Sequence, residues 1–217
     1  MLIFFDTEFS GLVIDPKLIS VGMIPEDGDH TFYAELADTY QVSACEPFVH
    51  EAVLPHLQGG DALMTMDELT LRLGNWIESF SQPVQLVTDS LSWDWPWIQE
   101  LFYLPGTWPK SLDGKPVQLY EMVDSPFLER AVEEAYQTHI PRLCRHHALD
   151  DARANRLAWL AASGREDVSW IALDDAAWQF QQHRDRLVAC TWYVGLDDAA
   201  GARLRSALQR INHDFIS

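Results

Sequence analysis

The segment Leu2-Ile3-Phe4-Phe5-Asp6-Thr7-Glu8-Phe9-Ser10-Gly11-Leu12 decides the fold. Four apolar residues in a row, stopped by a carboxylate, read as a short strand covered on both faces, since a strand with one wet face would alternate apolar and polar side chains. A second apolar run, residues 18–24 between Pro16 and Pro25, reads the same way, and residues 30–36 alternate loosely as a third strand. No crossover helix fits between these runs, so the chain opens as an antiparallel meander. Further on, Leu69, Leu73, Trp76, Ile77 and Phe80 recur at helical spacing over residues 66–80, and a strand at 84–88 after Pro83 brings the chain back to the sheet. Helices are expected at 96–102, 127–136 and 148–162, with an edge strand at 117–122. The expected architecture is an α/β domain over residues 1–164, built on a mixed five-stranded sheet flanked by helices. Residues 165–217 read as a helical extension packed on that core, with helices at 173–193 and 199–215 around Gly195.

The chain of 217 residues is 47% hydrophobic and 22% charged, a globular rather than a disordered composition. Its 15 Lys and Arg against 33 Asp and Glu leave a net charge of −18, which opposes adhesion to long nucleic acid or to an anionic membrane. The charge is uneven. Residues 1–110 hold 3 basic and 17 acidic side chains and the remainder 12 and 16, so phosphate-attracting surface must come largely from the second half. Cys45, Cys144 and Cys190 lie far apart without a C-x-x-C pair, which indicates neither a disulfide framework nor a zinc knuckle and suits a reducing cytoplasmic location. The apolar start lacks a basic flank, and no run approaches the ~18 apolar residues of a membrane span, so no membrane partner is expected.

The end of the first strand carries chemistry. Alternation along an extended chain puts Asp6 and Glu8 on one face. Paired anions call for a cation, and oxygen-only ligands suit Mg²⁺ or Mn²⁺ rather than zinc. The same pair also suits a polar strand end where Asp6 caps a turn. In Trp93-Asp94-Trp95-Pro96-Trp97, Asp94 stands at or just before a helix start, where capping is the ordinary role of an acid, and Asp89, after the strand 84–88, is its rival. The sharpest segment is Arg145-His146-His147-Ala148-Leu149-Asp150-Asp151-Ala152-Arg153-Ala154-Asn155. A histidine just before a helix and an acid in its first turn can face one cleft, the acid holding metal and the imidazole reaching a water; equally, the helix dipole alone favours acids there.

Taken in order, Asp6-Thr7-Glu8, Asp94 and His146-x4-Asp151 resemble the DEDD exonuclease superfamily in its histidine-bearing branch, which includes oligoribonuclease, ribonuclease T and polymerase proofreading exonucleases. The resemblance covers residues 1 to about 164, and the wording around Asp6 and Asp94 is similar to bacterial and phage 3′–5′ exoribonucleases. Alignment with the family's aromatic-Asp second motif selects Asp94 over Asp89. The His-Asn that precedes this motif in many relatives is replaced by Asp89-Ser90, and residues beyond Gly164 match nothing in the family pattern.

The resemblance implies a ribonuclease-H-like sheet and two-metal phosphodiester hydrolysis, with Asp6, Glu8, Asp94 and Asp151 holding two Mg²⁺ or Mn²⁺ ions and His146 as general base. His147 and Asp150 have the same chemistry at the wrong spacing and are assigned structural roles. Phe9 and Leu12 are candidates to pack against terminal bases, and Arg142, Arg145 and Arg153 to meet phosphates; core packing and surface ion pairs are the alternatives for these two sets. Arg156 belongs to the same cluster and is given to an ion pair. The expected partner is a single-stranded 3′ end, RNA in preference to DNA, and the sequence leaves open whether the chain forms a homodimer. Two other resemblances fail. His50-Glu51 with His56 is similar to a zinc-protease helix, but the spacing is wrong and Pro55 would break the helix. The phosphatases with an Asp nucleophile after a buried strand need a second Asp where Glu8 stands.

Overall fold

The structure is a computed structural model and describes residues 1–123, 125–164, 172–174 and 187–189. Strands β1 (Leu2–Phe9), β2 (Leu18–Pro25) and β3 (Phe32–Leu36) form the antiparallel meander. Helix α1 (Pro47–Ala52) leads to the two-residue strand β4 (Leu63–Met64), parallel to β3, and α2 (Met66–Ser79) crosses to β5 (Gln85–Thr88), parallel to β1. Helix α3 (Leu91–Phe102) leads to β6 (Val117–Gln118), parallel to β5, and α4 (Leu119–Met122), α5 (Ser125–Thr138) and α6 (Ala148–Ser163) follow. The sheet order is β4-β3-β2-β1-β5-β6.

Six strands replace the expected five, because β4 is only two residues long and a pair of residues has no period to read. The expected edge strand at 117–122 is half strand and half helix. Val117 and Gln118 pair with Val87 and Thr88, where β5 ends, so nothing remains for Leu119 to pair with. Helix α3 begins at Leu91, not at 96, and carries Pro96 inside its second turn. One backbone bond is lost there, and burial of Trp97, Ile98, Leu101 and Phe102 offsets it. Strand β1 runs past its apolar residues to Phe9 because β2 keeps pairing with it as far as Leu18.

Alternation on β1 sorts the core into two layers. Ile3 and Phe5 pack with Leu69, Leu73 and Ile77 of α2 and Ile98, Leu101 and Phe102 of α3. Phe4 packs on the opposite side with Leu149, Ala152 and Trp159 of α6, its ring 5.3 Å from that of Trp159. A capping box joins Thr65 and Glu68 at the start of α2.

By their contacts, Met1–Arg165 and Glu166–Ser217 are two compact units. In the second, β7 (Ala172–Asp174) and β8 (Leu187–Ala189) are paired in parallel, which corrects the continuous helix expected over 173–193. The helix expected at 199–215 lies outside the described residues. Among the described residues no helix is long and apolar enough to cross a membrane.

Candidate active site

The site lies at the C-terminal ends of the parallel strands β1 and β5, where backbones diverge and leave room for a ligand. Continuing the alternation of β1, Asp6 and Glu8 follow Phe4 onto the α6 side while Thr7 follows Phe5 onto the α3 side. Thr7 Oγ1 donates to Asp94 Oδ1 at 2.6 Å, and Thr88 Oγ1, from the end of β5, donates to Asp94 Oδ2. These two hydroxyls fix the Asp94 carboxylate, which is buried in the first turn of α3. Each of its oxygens keeps a lone pair for a further partner.

Helix α6 brings the third set of groups, and a glycine lets it approach. Gly22 pairs directly with Asp6 across the β1–β2 ladder. A Cβ at Gly22 would sit 2.1 Å from the Leu149 backbone nitrogen, so only a residue without a side chain allows the first turn of α6 to rest on the sheet there. Asp151, one residue past Asp150 in that turn, is held at both oxygens: the Tyr136 hydroxyl donates to Oδ1 and the His146 backbone N–H to Oδ2 at 3.0 Å. His146 makes the second bond by adopting a left-handed conformation at φ 61, unusual for a residue with a side chain. His147 caps α6. Its buried ring stacks on Tyr33 at 4.4 Å and meets the Gln58 amide at 3.0 Å.

The acids converge in two groups whose ligand atoms lie within 4.8 Å of one another: Asp6, Asp89 and Asp94, and Glu8, His146 and Asp151. Burial dominates their electrostatics. It raises the Asp6 carboxyl well above the usual range, with Asp94, Asp151 and Glu8 adding repulsion. Glu8 is pushed up to about 9 by burial and by the charges of Asp151 and Asp94. Asp94 and Asp151 are each pushed up to about 7 by burial, although the hydroxyls of Thr7 and Thr88 pull the former down and the Tyr136 hydroxyl pulls the latter down. Asp89 is raised by burial as well. The His146 imidazole is lowered by burial and by Arg145 and His56, which keeps it unprotonated at neutral pH. Asp6 Oδ2 is buried with no hydrogen-bond partner. An acceptor left without a donor inside a protein is costly, and a divalent cation among these oxygens would satisfy it. The residues present therefore fit the expected hard cation.

Asp6, Glu8, Asp94, His146 and Asp151, all named from sequence, are brought together. The peripheral candidates are not all offered to the cleft. Phe9 packs with the α2/α3 layer, stacked on Trp93 at 5.8 Å, and lines a cavity of about 510 Å³ with Lys17, Met66 and Trp97. Alternation explains this, since Phe9 falls on the side opposite Glu8. Leu12 is exposed in the β1–β2 loop, its N–H bonded to Glu46. Arg145 pairs with Glu133 and lies 4.0 Å over the Tyr136 ring, and Arg153 bonds to Asp150 at 2.8 Å. Arg142 is exposed and forms no ion pair among the described residues. Arg156 is buried, not on the surface as expected from sequence, and donates twice to the Glu26 carbonyl.

Sequence reasoning missed Tyr136, Thr7, Thr88, Asn155 and Phe48, and it set Asp89 aside. Asn155 Nδ2 donates to Asp89 Oδ1 at 2.9 Å. Phe48, more than half exposed on α1, meets the His146 ring edge-on at 4.9 Å. The spacing of Asn155 from Asp151, four residues on one helix, was the available signal for Asn155.

No protein-family model matches the sequence, and no curated protein aligns with it significantly. Among solved structures, the chain is similar to the nuclease domain of 3'hExo, a DEDDh family member, bound to rAMP. The two share 14% identity over 76% of this chain and 93% of that one, with a TM-score of 0.51. The likeness establishes the ribonuclease-H-like nuclease fold: a mixed α/β sheet with flanking helices.

Proposed function

We propose that the protein is a metal-dependent 3′–5′ exonuclease that shortens single-stranded 3′ ends, with RNA or short oligonucleotides preferred to long DNA, and that it works in the cytoplasm. One observation carries this reading: four carboxylates and an imidazole from β1, α3 and the start of α6 converge at the strand ends of a nuclease fold. Two Mg²⁺ or Mn²⁺ ions held by Asp6, Glu8, Asp94 and Asp151 would supply water activation and charge stabilisation of the attacking and leaving oxygens.

The chain's own groups divide the remaining work. His146, unprotonated and part-exposed, accepts the proton of the attacking water at a ring nitrogen. The left-handed backbone at His146 and the Tyr136 hydroxyl hold Asp151 so that acid and base keep a fixed relation. The bond broken joins phosphorus to the 3′ oxygen of the penultimate nucleotide, and a nucleoside 5′-monophosphate leaves. The rAMP bound to the 3'hExo nuclease domain is a molecule of that kind and supports the choice of product. Exposed Phe48 offers apolar surface beside His146 to any base without reading its edge, and exposed Leu12, tied by its N–H to Glu46, is a second apolar candidate. With Arg145 and Arg153 engaged by carboxylates and a net charge of −18, few phosphates are attracted, which favours short ends.

The test is hydrolysis of 3′-labelled and 5′-labelled RNA and DNA single strands with Mg²⁺, Mn²⁺ or EDTA. Stepwise loss from the 3′ end of RNA that stops in EDTA is the expected result. Metal-independent cleavage, internal cleavage or no cleavage of either polymer would refute the reading.

A further inference from the structure

Asp89 follows β5 directly and opens the two-residue loop to α3, where Asp89-Ser90 stands in place of the His-Asn pair of the resembled second motif. We propose that Asp89 is a fifth carboxylate ligand, completing with Asp6 and Asp94 the seat of one of the two divalent ions, and that Asn155 positions it. The assignment rests on the metal-dependent nuclease reading above and adds to it a ligand which the four-acid pattern lacks.

Three observations converge. A carboxylate oxygen of Asp89 lies within 4.8 Å of one from Asp6 and one from Asp94, a spacing that a single ion can span. Asp6, a member of this group, has one oxygen, Oδ2, buried with no donor, so a lone pair there is unspent. No lysine, arginine or histidine forms an ion pair with Asp6, Asp89 or Asp94 among the described residues, and three adjoining carboxylates without a counter-charge are unfavourable. The neighbours that do hold them are neutral: Thr7 and Thr88 on Asp94, and the Asn155 amide on Asp89.

Asn155 is buried on α6 four residues after Asp151, on the same helical face. One helix thus supplies Asp151 to one group of ligands and steers Asp89 into the other. An amide suits the second task, because it orients a carboxylate without neutralising it.

The competing account makes Asp89 an anchor that ties the β5–α3 loop to α6. Asp89→Asn separates the two, since the new amide oxygen can still accept from Asn155 while the charge is gone. Binding of Mn²⁺ to the full chain is measured by calorimetry and by electron paramagnetic resonance of free Mn²⁺, with melting temperatures in EDTA. The wild-type chain is expected to take up two ions. Asp89→Asn should weaken one of them by at least about tenfold, leave the other within a few-fold, and melt no lower in EDTA, because repulsion has been relieved. Asn155→Ser, which keeps the charge and removes the holder, should weaken the same ion by a smaller factor. Two ions bound by Asp89→Asn with unchanged affinity would overturn the proposal and leave the nuclease reading standing. A wild-type chain that binds no Mn²⁺ would overturn both.

Discussion

The two groups of ligands at the strand ends are built differently. Glu8, His146 and Asp151 are joined through the start of α6, where a left-handed histidine, a tyrosine hydroxyl and a glycine-permitted helix contact set the geometry. Asp6, Asp89 and Asp94 contain no imidazole and are held by neutral hydroxyls and an amide. The first group adds an imidazole to its carboxylates; the second is carboxylate alone. In the proposed hydrolysis, a base beside one group and none beside the other would give the cleft a direction, with water attacking from the His146 side.

The largest effect should come from breaking the support of the first group. Gly22→Ala places a methyl 2.1 Å from the Leu149 backbone nitrogen, which no rotamer change can relieve. Helix α6 must shift, with a stability loss of about 1–3 kcal/mol or more and cleavage reduced to background; thermal melts and the labelled-RNA assay read both. Wild-type activity in this variant would mean the α6 contact does not set the site.

His146→Ala should lower turnover by at least about 10²-fold while Mn²⁺ binding stays within a few-fold. His147→Ala should do the reverse, sparing turnover and lowering the melting temperature, because its ring is packed on Tyr33 and bonded to Gln58. Exchanged effects would reassign the base.

The carboxylates also make the metal-free protein pH-sensitive, and the direction follows from linkage. Asp6, Glu8, Asp94 and Asp151 have folded pKa values above their unfolded ones, so the folded state binds more protons and stability falls as pH rises through the window, up to about 7 for Asp94 and Asp151 and about 9 for Glu8. His146 and His147 are lowered and act oppositely, but only below 6.5. Between pH 6.5 and 8.5 the acids act alone. In EDTA the melting temperature should drop by on the order of 5 °C across that range, and saturating Mn²⁺ should abolish the drop. A flat profile in EDTA would mean that the acids are already neutralised by protein groups.

A smaller change is expected in the second group. Thr88→Val removes one donor from the buried Asp94 and should cost about 1–3 kcal/mol without metal, and less with Mn²⁺ bound. Equal losses in both conditions would place Asp94 outside the ion's reach. Smallest of all, Arg142→Ala should weaken short-RNA binding to the Asp151→Asn variant uniformly across sequences, reducing the log-affinity against log-salt slope by roughly 0.7. An unchanged slope would remove Arg142 from the phosphate path.

Much of this was legible along the chain. The strand pair at the start, the helical spacing of Leu69, Leu73 and Ile77, and the carboxylates of Asp6 and Glu8 on one strand face are local patterns, and local patterns survive in a linear sequence. Pro96 misplaced the start of α3 because a proline inside a second turn looks, in sequence, like one at the first. For Phe9 the sequence leaves base contact and core packing open, and the alternation that pairs Asp6 with Glu8 sends it to the other layer.

The sequence by itself therefore determined the meander, the metal-suited pair on β1 and the five-residue spacing from His146 to Asp151, because each depends on neighbours within a turn or a strand. Only the tertiary structure decided that Tyr136 holds Asp151, that Asn155 holds Asp89 and that Gly22 admits α6. Those contacts join residues 15, 66 and more than 100 positions apart, and no local period encodes them. They follow from how α6 settles on the sheet, a packing outcome in which the absence of one side chain on β2 matters as much as the presence of any acid.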